Sequence, residues 1–247
     1  MISPRIDQPA RGRHSLRKLA ARAALIMLLI AALAIWGYRL LRPSTRQRLY
    51  QSGLEALKAN DLGAVQAAIE ALSAAHDAEP YVRVLQGAID LRQGRLSQAV
   101  ARFLKAREDP RVAAIANMLA GDALYRNRQF GDAIDALVQS VRLDPSLTDA
   151  HRRLAAVYYD IGATAPAIRE MQVVAEQAPD DPRPHRMMGL IYKDQEAFPA
   201  AIKAYQETLR RDPNLPERND VLLELAHCQL EAWQHSGFEQ TIKMCPR

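Results

Sequence analysis

The stretch of sequence that decides the fold runs from residue 121 to residue 145 and reads GDALYRNRQFGDAIDALVQSVRLDP. Gly121 in this stretch is a small residue, as is Ala133, and the large apolar Leu137 stands one helical turn after Ala133. Pro145 closes the stretch, and proline ends a helix because it lacks an N–H group and disfavours the helical conformation in the residue before it. We therefore expect two helices joined by a short polar turn.

The same residue types recur along the chain with a period of 34 residues. Four columns show the period: Gly53, Gly87, Gly121, Ala155 and Gly189; Val65, Ala99, Ala133, Ala167 and Ala201; Ile69, Phe103, Leu137, Met171 and Tyr205; and Leu62, Leu96, Phe130, Thr164 and Phe198. They define five units at 46–79, 80–113, 114–147, 148–181 and 182–215. The two small columns allow paired helices to approach closely, and we expect the third column to fill the space between one hairpin and the next. Because no unit buries its apolar face alone, the units must stack.

These units resemble tetratricopeptide repeats. The resemblance is carried by GDALY at 121–125, FGDAI at 130–134 and LDP at 143–145, and by LAAVY at 154–158 and MGLIY at 188–192. It covers residues 46–215 and implies an all-α fold, a right-handed α-solenoid of stacked helix-turn-helix repeats with a protein-binding role. The first unit matches least well, with Val65 in a small column and Asp77 where proline is usual, so it is either a repeat or an irregular hairpin.

The resemblance also implies a binding site, because the first helix of each repeat in this family lines a concave groove that holds a protein or peptide partner. The residues that it places on or near this groove are Asp122, Tyr125, Arg126, Arg152, Arg153, Tyr159, Arg183, Arg186 and Lys193. The arginines there would pair with the carboxylates of an acidic partner segment. The family's carboxylate clamp also needs asparagines in the groove, and Asn117 lies elsewhere in its repeat. The alternative is that nearby acids such as Asp122, Asp149 and Asp160 already neutralise the arginines and leave a solvated face.

Positive charge is concentrated before the repeats. The chain has 33 Lys and Arg against 28 Asp and Glu, but residues 1–48 alone hold ten bases and one acid. The remaining residues therefore hold 23 bases and 27 acids, a net charge of −4. A mildly acidic body lacks the basic surface that phosphate backbones require, so we expect no nucleic-acid partner.

An apolar segment, AALIMLLIAALAIWGY, occupies residues 23–38 without a charge. With Leu40 and Leu41 it predicts a transmembrane signal anchor at residues 23–41, preceded by a disordered basic flank at 1–22 and followed by a linker at 42–45. Such an anchor contacts the lipid bilayer directly. Two alternatives stay open: cleavage after Ala32-Leu33-Ala34, which would release a soluble protein, and a buried helix of a soluble domain.

The charges that flank the span predict its orientation. Six Lys and Arg precede it and four follow shortly after, which favours a cytoplasmic N-terminus and an extracytoplasmic repeat domain. We therefore expect a single-pass protein of the cell (inner) membrane that acts as a scaffold, for example in envelope, secretion or assembly machinery. The alternatives are a cleaved, soluble periplasmic adaptor and a non-catalytic subunit of an enzyme complex.

Residues 216–247 leave the register and predict a C-terminal capping hairpin with a turn at Ser236-Gly237. Folding about that turn would bring Cys228 and Cys245 together, and a disulfide between them is chemically permitted outside the cytoplasm. The alternatives are that Cys228 is a buried apolar residue and that the last residues fray.

No catalytic motif accompanies the repeats. The six histidines form no HExxH pair and no cluster with cysteine, and the sequence contains neither a GxSxG motif nor a glycine-rich phosphate loop. We therefore predict a protein without catalytic residues, metal ligands or cofactors.

Overall fold

The computed structural model of the protein describes residues 44–244, which form eleven α-helices and no strand. They are α1 (Thr45–Lys58), α2 (Leu62–Ser73), α3 (Glu79–Arg92), α4 (Leu96–Ala106), α5 (Ala113–Arg126), α6 (Phe130–Leu143), α7 (Thr148–Asp160), α8 (Thr164–Gln177), α9 (Arg183–Asp194), α10 (Phe198–Arg211) and α11 (Arg218–Met244). Each helix packs against the next along the chain. The described body is therefore an all-α helical repeat solenoid.

The first ten helices form five pairs that coincide with the five units of the sequence period. Every second helix begins at its residue of the fourth column, from Leu62 in α2 to Phe198 in α10. The first unit is a helical hairpin like the others, although its sequence matches least well. Its helices have side-chain caps, because Ser44 Oγ accepts a hydrogen bond from the Gln47 N–H (3.2 Å) and Asp61 Oδ1 accepts one from Ala64 (2.9 Å).

In the second, third and fifth units the glycine makes room for the large residue of its own unit, whereas Gly53 lies against Leu85 of the next unit. A Cβ atom on Gly87 would lie 2.7 Å from the Phe103 ring, and one on Gly121 would lie 2.5 Å from Leu137 Cγ. All five large residues are buried, as are all members of the Val65/Ala99 column. The third column also packs between hairpins as expected, because Leu137 clusters with Leu154 and Val157 of the next unit.

One backbone conformation recurs in the turn of every hairpin. The residue two places after each first helix has a positive φ: Asn60, Gly94, Arg128, Gly162 and Glu196. In each turn the following N–H donates to the carbonyl five residues earlier, at 2.8–2.9 Å, as in the Schellman arrangement that closes a helix. The turns thus satisfy the last carbonyls of each first helix while reversing the chain.

The C-terminal segment differs from its prediction. The backbone runs as one helix from Arg218 to Met244, so the turn expected at Ser236-Gly237 is not formed. Glycine and serine are poor but tolerated inside a helix, where a single glycine costs only about 1 kcal/mol. Cys228 is free and buried, and burial raises the pKa of its thiol. Cys245 lies outside the described residues, so the disulfide stays a prediction.

One face of α11 closes the stack. Val221, Leu225 and Cys228 pack with Phe198 and Tyr205 of the last hairpin. Between residues 218 and 233, other large apolar side chains of this helix are exposed: Leu223, Leu230 and Trp233. The helix therefore caps the solenoid on one side only.

The predicted flank at 1–22 and the predicted span at 23–41 lie outside the described residues. Within the described part of the chain, no helix combines the length and the apolar character that crossing a membrane requires. The predicted linker ends inside helix α1, which begins at Thr45.

Candidate partner-binding groove

The first helices of the units form the inner surface of the solenoid. Helices α1, α3, α5 and α7 contact one another in sequence, whereas the second helices lie farther from each other. A stack that is closer along one side curves toward that side, so the first helices line the concave face.

A cavity of about 480 Å³, which we call the N-terminal cavity, opens on this face between α1, α3, α5 and the start of α7. Its apolar lining consists of Leu54, Leu57, Ala88, Leu91, Ile115, Met118, Leu119 and Leu147. Its polar lining consists of Gln51, Glu55, Lys58, Arg92, Asp122, Arg126, Asp149 and Arg153. Cavities of this size and composition are typical of ligand and peptide sites.

The apolar floor exists because α5 is apolar on two faces. One face packs into the stack, where Ala116 and Ala120 are fully buried. The other face presents Ile115, Met118 and Leu119 to the cavity. Ile115 and Leu119 are half-buried, and they pack at the border of two core clusters. The floor therefore offers aliphatic surface without breaking the core beneath it.

The last residue of each first helix forms a column along one side of the groove, which we call the edge column. In the first three units it is basic: Lys58, Arg92 and Arg126. Cations suit this place, because the C-terminal end of a helix carries partial negative charge. Arg92 reaches back to the preceding unit, donating to the Leu57 carbonyl (2.9 Å) and to Asn60 Oδ1 (3.1 Å).

The charges at the rim of the cavity are only partly balanced. Lys58 pairs with Glu55 at 3.1 Å. Arg126 and Arg153 share a single carboxylate, with Arg126 Nη2 3.2 Å and Arg153 Nη1 2.6 Å from the oxygens of Asp122. Arg92 makes no ion pair with any residue that the structure describes, because its partners are neutral acceptors.

The edge column changes sign in the last two units, where it is Asp160 and Asp194. Each carboxylate accepts a hydrogen bond from a tyrosine of the preceding unit: Asp160 from Tyr125 and Asp194 from Tyr159. The bond to Asp160 raises the pKa of Tyr125, and the bond to Asp194 raises the pKa of Tyr159 to about 12. A carboxylate at the end of a helix opposes the helix dipole, and these hydrogen bonds offset that cost.

The same ladder continues to the cap. Lys193 donates to Glu224 of α11 at 2.8 Å, and this bond raises the pKa of the Lys193 ammonium. Each polar side chain of this ladder therefore has its partner in the neighbouring unit.

The remaining predicted site residues lie mostly in ion pairs. Asp181 accepts from Arg183 (2.8 and 2.9 Å) and from Arg152 (3.0 Å), and Arg152 also pairs with Asp149. Burial alone would raise the pKa of Asp181, but Arg183 and Arg152 lower it overall. Arg186 lines a separate depression with Arg183, beside the start of α11.

The structure thus divides the predicted site residues into groups. The members that line the N-terminal cavity are Asp122, Arg126 and Arg153. The members of the ladder are Tyr125, Tyr159 and Lys193. The members that surround Asp181 or the depression near α11 are Arg152, Arg183 and Arg186. Asp122 and Asp149 neutralise arginines as the alternative interpretation held, whereas Asp160 accepts from a tyrosine instead.

Sequence reasoning missed the floor of the cavity and Arg92. The floor residues Leu54, Ile115 and Met118 fit the apolar pattern of a helix, and that pattern does not distinguish core from groove. The available signal was the edge column itself, in which Lys58, Arg92 and Arg126 repeat at the 34-residue period before the sign changes.

A smaller polar depression of about 330 Å³ extends the groove past the cavity, beside the start of α1. Tyr50 and Tyr81 pack there with ring centroids 4.9 Å apart, and the Arg111 guanidinium lies over the Tyr81 ring. Arg111 also bonds Asp77 (2.8 Å), which holds the pKa of that carboxyl below its usual value. The described residues contain no group of three or more His, Cys, Asp or Glu side chains placed to hold a metal ion.

Comparison with known proteins agrees with the architecture. A solved structure of MamA superimposes with a TM-score of 0.54 at 22% identity, covering 65% of this chain and 94% of that one. A MamA structure from Desulfovibrio magneticus RS-1 gives a TM-score of 0.50 at 20% identity, covering 68% and 98%. At these identities the likeness concerns the fold alone.

A curated relative, Hsp70-Hsp90 organizing protein 1 of Glycine max, is 22% identical over 153 residues. The match covers 58% of this chain and 27% of that protein, so the chain spans about a quarter of its length. Two family models, both of the tetratricopeptide repeat, match residues 124–191 in one case and residues 84–147 and 186–237 in the other. Together they run without a gap from residue 84 to residue 237, more than half of the sequence, and the chain therefore belongs to the tetratricopeptide-repeat family.

Proposed function

We propose that this protein is a non-catalytic scaffold that holds a segment of a partner protein in its concave groove, with the N-terminal cavity as the principal contact. The observation that carries the proposal is the aliphatic floor around Ile115, Met118 and Leu119 in a cavity that opens on the concave face. Burying one large aliphatic side chain there contributes about 1.5–3 kcal/mol. Two or three such side chains supply enough free energy to hold a short segment, after the cost of ordering it.

The proposal includes a location. The apolar segment at residues 23–41 anchors the scaffold in a membrane, and the repeat domain lies on the extracytoplasmic side. This part is supported by the apolar sequence and by the excess of bases before it. A reporter that is active only outside the cytoplasm, fused after Arg247, should be active, and activity of a cytoplasmic reporter instead would reverse the topology. The intact mass of the mature protein distinguishes the anchor from cleavage near Ala34.

Site-specific photocrosslinking in native membranes tests the binding function. A photoreactive amino acid at Leu119, inside the cavity, should give discrete adducts that mass spectrometry identifies as the same protein in repeated preparations. The same residue placed at Leu143, an exposed last residue of a second helix, is the matched control and should give none of these adducts.

A second change establishes that the adduct depends on the cavity. Ile115→Arg, introduced into the Leu119 photoreactive protein, fills the cavity with a charged side chain and should remove the adduct while the melting temperature stays within a few degrees. An adduct that persists in this variant, or adducts equal to those from Leu143, would show that the groove is not the binding surface.

A further inference from the structure

We propose that the segment held in the N-terminal cavity is both aliphatic and acidic: its aliphatic side chains lie on the floor and a carboxylate meets the basic edge formed by Arg92 and Arg126. The inference rests on the proposed function and specifies the chemistry of the partner. The sequence suggested Arg126, Arg152, Arg153, Arg183 and Arg186 as the arginines that meet an acidic partner. The inference keeps Arg126, adds Arg92 and confines the acid-binding position to the first three units.

The floor selects aliphatic side chains. The cavity offers no hydroxyl or amide on its floor, where the lining is Leu, Ile, Met and Ala, so a polar group placed there would lose its hydrogen bonds to water without replacing them. Flexible side chains such as Met118 and Leu119 adapt to branched aliphatic groups. Polar contacts are available only at the rim, which is where a polar residue of the partner must lie.

The rim carries an excess of positive charge. Lys58 is offset by Glu55, and Asp149 is offset by Arg152. The remaining charged groups at the rim are Arg92, Arg126 and Arg153 against the single carboxylate of Asp122. This leaves two guanidinium charges in excess beside a low-dielectric floor, where their field is stronger than at an open surface.

The geometry of the donors favours a carboxylate as their partner. Arg126 is about half exposed, and its one ion pair within the described chain is to Asp122. The Asp122 carboxylate lies closer to Arg153 (2.6 Å) than to Arg126 (3.2 Å). Arg92 is held in place by the Leu57 carbonyl and Asn60, so its remaining N–H groups are positioned in advance. A carboxylate between them would accept charge-assisted hydrogen bonds at little cost in side-chain entropy.

The rest of the groove argues for one orientation of the partner. Beyond the cavity the edge column is Asp160 and Asp194, whose oxygens already accept from tyrosines. An acidic group of the partner would be repelled there, so its carboxylate must lie at the first three units. A basic segment would be repelled by the excess arginines at the cavity. Aliphatic floor and basic edge therefore select the same kind of segment.

Selection from a phage-displayed library of random 12-residue peptides on the full-length protein tests the inference. Peptides enriched on the wild type should contain two or more Leu, Ile, Met or Val with Asp or Glu nearby, the acids at least threefold above their library frequency. Selection on the double variant Arg92→Gln with Arg126→Gln should lose the acidic preference and keep the aliphatic one.

The most enriched peptide, labelled with a fluorophore, then gives affinities by anisotropy. The double variant should bind it at least tenfold more weakly, about 1.4 kcal/mol, and added salt should weaken the wild-type complex. A matched control, Arg107→Gln with Arg210→Gln, removes two exposed charges elsewhere and should change the affinity less than twofold. Because Arg92→Gln also removes bonds within the fold, Arg126→Gln alone is measured as well and should weaken binding at least threefold.

Three results obtained with enriched peptides would overturn the inference. They are enrichment of aliphatic peptides without acids, enrichment of basic peptides, and an unchanged affinity in the Arg126→Gln variant. The first and the third would leave the scaffold function standing, because the crosslink from Leu119 decides that separately. Failure to enrich any peptide over an Ile115→Arg protein would also overturn it. Displacement of the bound peptide by dodecanoate at equal concentration would assign the site to a fatty acid instead.

Discussion

The two halves of the groove have the same scaffold and opposite surfaces. In the first three units the edge column is Lys58, Arg92 and Arg126, beside an open aliphatic cavity. In the last two units the same column is Asp160 and Asp194, and both acids accept hydrogen bonds from tyrosines of the unit before. The first half leaves apolar surface and an excess of positive charge, whereas the edge-column carboxylates of the second half are satisfied by hydrogen bonds between units.

This difference teaches how a repeat protein confines binding to one part of a continuous groove. The buried columns are the same in both halves, so the packing of the helices does not distinguish them. The distinction lies in a few exposed positions that face a neighbouring unit. Where these positions form pairs between units, a partner must compete with an existing bond. At the first three units the edge cations outnumber the carboxylates beside them, so a partner can supply the missing carboxylate.

The largest expected effect is a loss of binding affinity, and it should differ between substitutions in the two halves of the groove. Ile115→Arg, in the cavity, should weaken partner or peptide binding at least 100-fold, about 2.8 kcal/mol, because a guanidinium must leave water or block the floor. Leu190→Arg stands at the place in its unit that Leu54 occupies in the first, and should change affinity less than threefold. Titration by fluorescence anisotropy measures both. Equal losses in the two variants would mean that the partner spans the whole groove.

The next largest effect is on the free energy of unfolding, and it tests the helix packing that both halves share. Ala133→Leu in the third unit and Ala167→Leu in the fourth both overpack a fully buried contact, and each should lower the free energy of unfolding by about 1–3 kcal/mol. Urea denaturation gives the values, with Ala101→Leu, at an exposed position of α4, as the control that should change little. If either buried substitution leaves stability unchanged, the columns do not pack as described.

The turns provide a test of intermediate size. Gly94→Ala and Gly162→Ala place a side chain at positive φ and should each cost about 1–2 kcal/mol. Glu196 has the same conformation, so Glu196→Gly should instead raise stability, by up to about 1 kcal/mol. Gly131, inside α6 with open space around its Cβ position, is the matched control, and Gly131→Ala should be neutral or stabilising. A loss at Gly131 equal to that at Gly94 would remove the conformational explanation.

The smallest effect concerns the ladder of the C-terminal half. Tyr159→Phe removes the hydrogen bond to Asp194 and should cost up to about 1 kcal/mol at pH 7, a low value because the pair is partly exposed. Since the pKa of Tyr159 is raised in the folded protein, this contribution is complete below the ordinary tyrosine pKa near 10 and is lost as the pH rises toward about 12.

Urea midpoints of the wild type and of Tyr159→Phe, measured from pH 8 to 11.5, should therefore converge at the alkaline end. The first unit offers a comparison, because Leu57 occupies the place of Tyr159 there and has no proton to lose. A constant difference between the two proteins across this range would show that the hydrogen bond does not stabilise the fold.

The scaffold was predictable from the sequence because its requirements are steric and periodic. Two paired helices can approach closely only where a small residue faces a large one, and this requirement repeats every 34 residues. It is met by Gly121 opposite Leu137 and by Gly87 opposite Phe103. The C-terminal segment was not predictable in the same way. A Ser-Gly pair favours a turn only weakly, and no buried column continues past residue 215 to decide between a turn and the long helix that forms.

The site was predictable only in part. Asp122, Arg126 and Arg153 lie at the N-terminal cavity as resemblance suggested, but the aliphatic floor looks like core in a sequence. Whether Met118 faces a neighbouring helix or a groove depends on the curvature of the stack. Pairs such as Tyr125 with Asp160 join residues 35 positions apart, and recognising them requires knowing which first-helix residues face the next unit.

The methyl resonances of methionine test the central claim most directly. Met118 lines the N-terminal cavity, whereas Met171 and Met188 lie in the core of the C-terminal half. In the full-length protein labelled with 13C at methionine methyl groups, addition of the most enriched peptide should shift or broaden the Met118 signal and leave the other two unchanged. Shifts at Met171 and Met188 with an unchanged Met118 would place the partner in the other half and contradict the account.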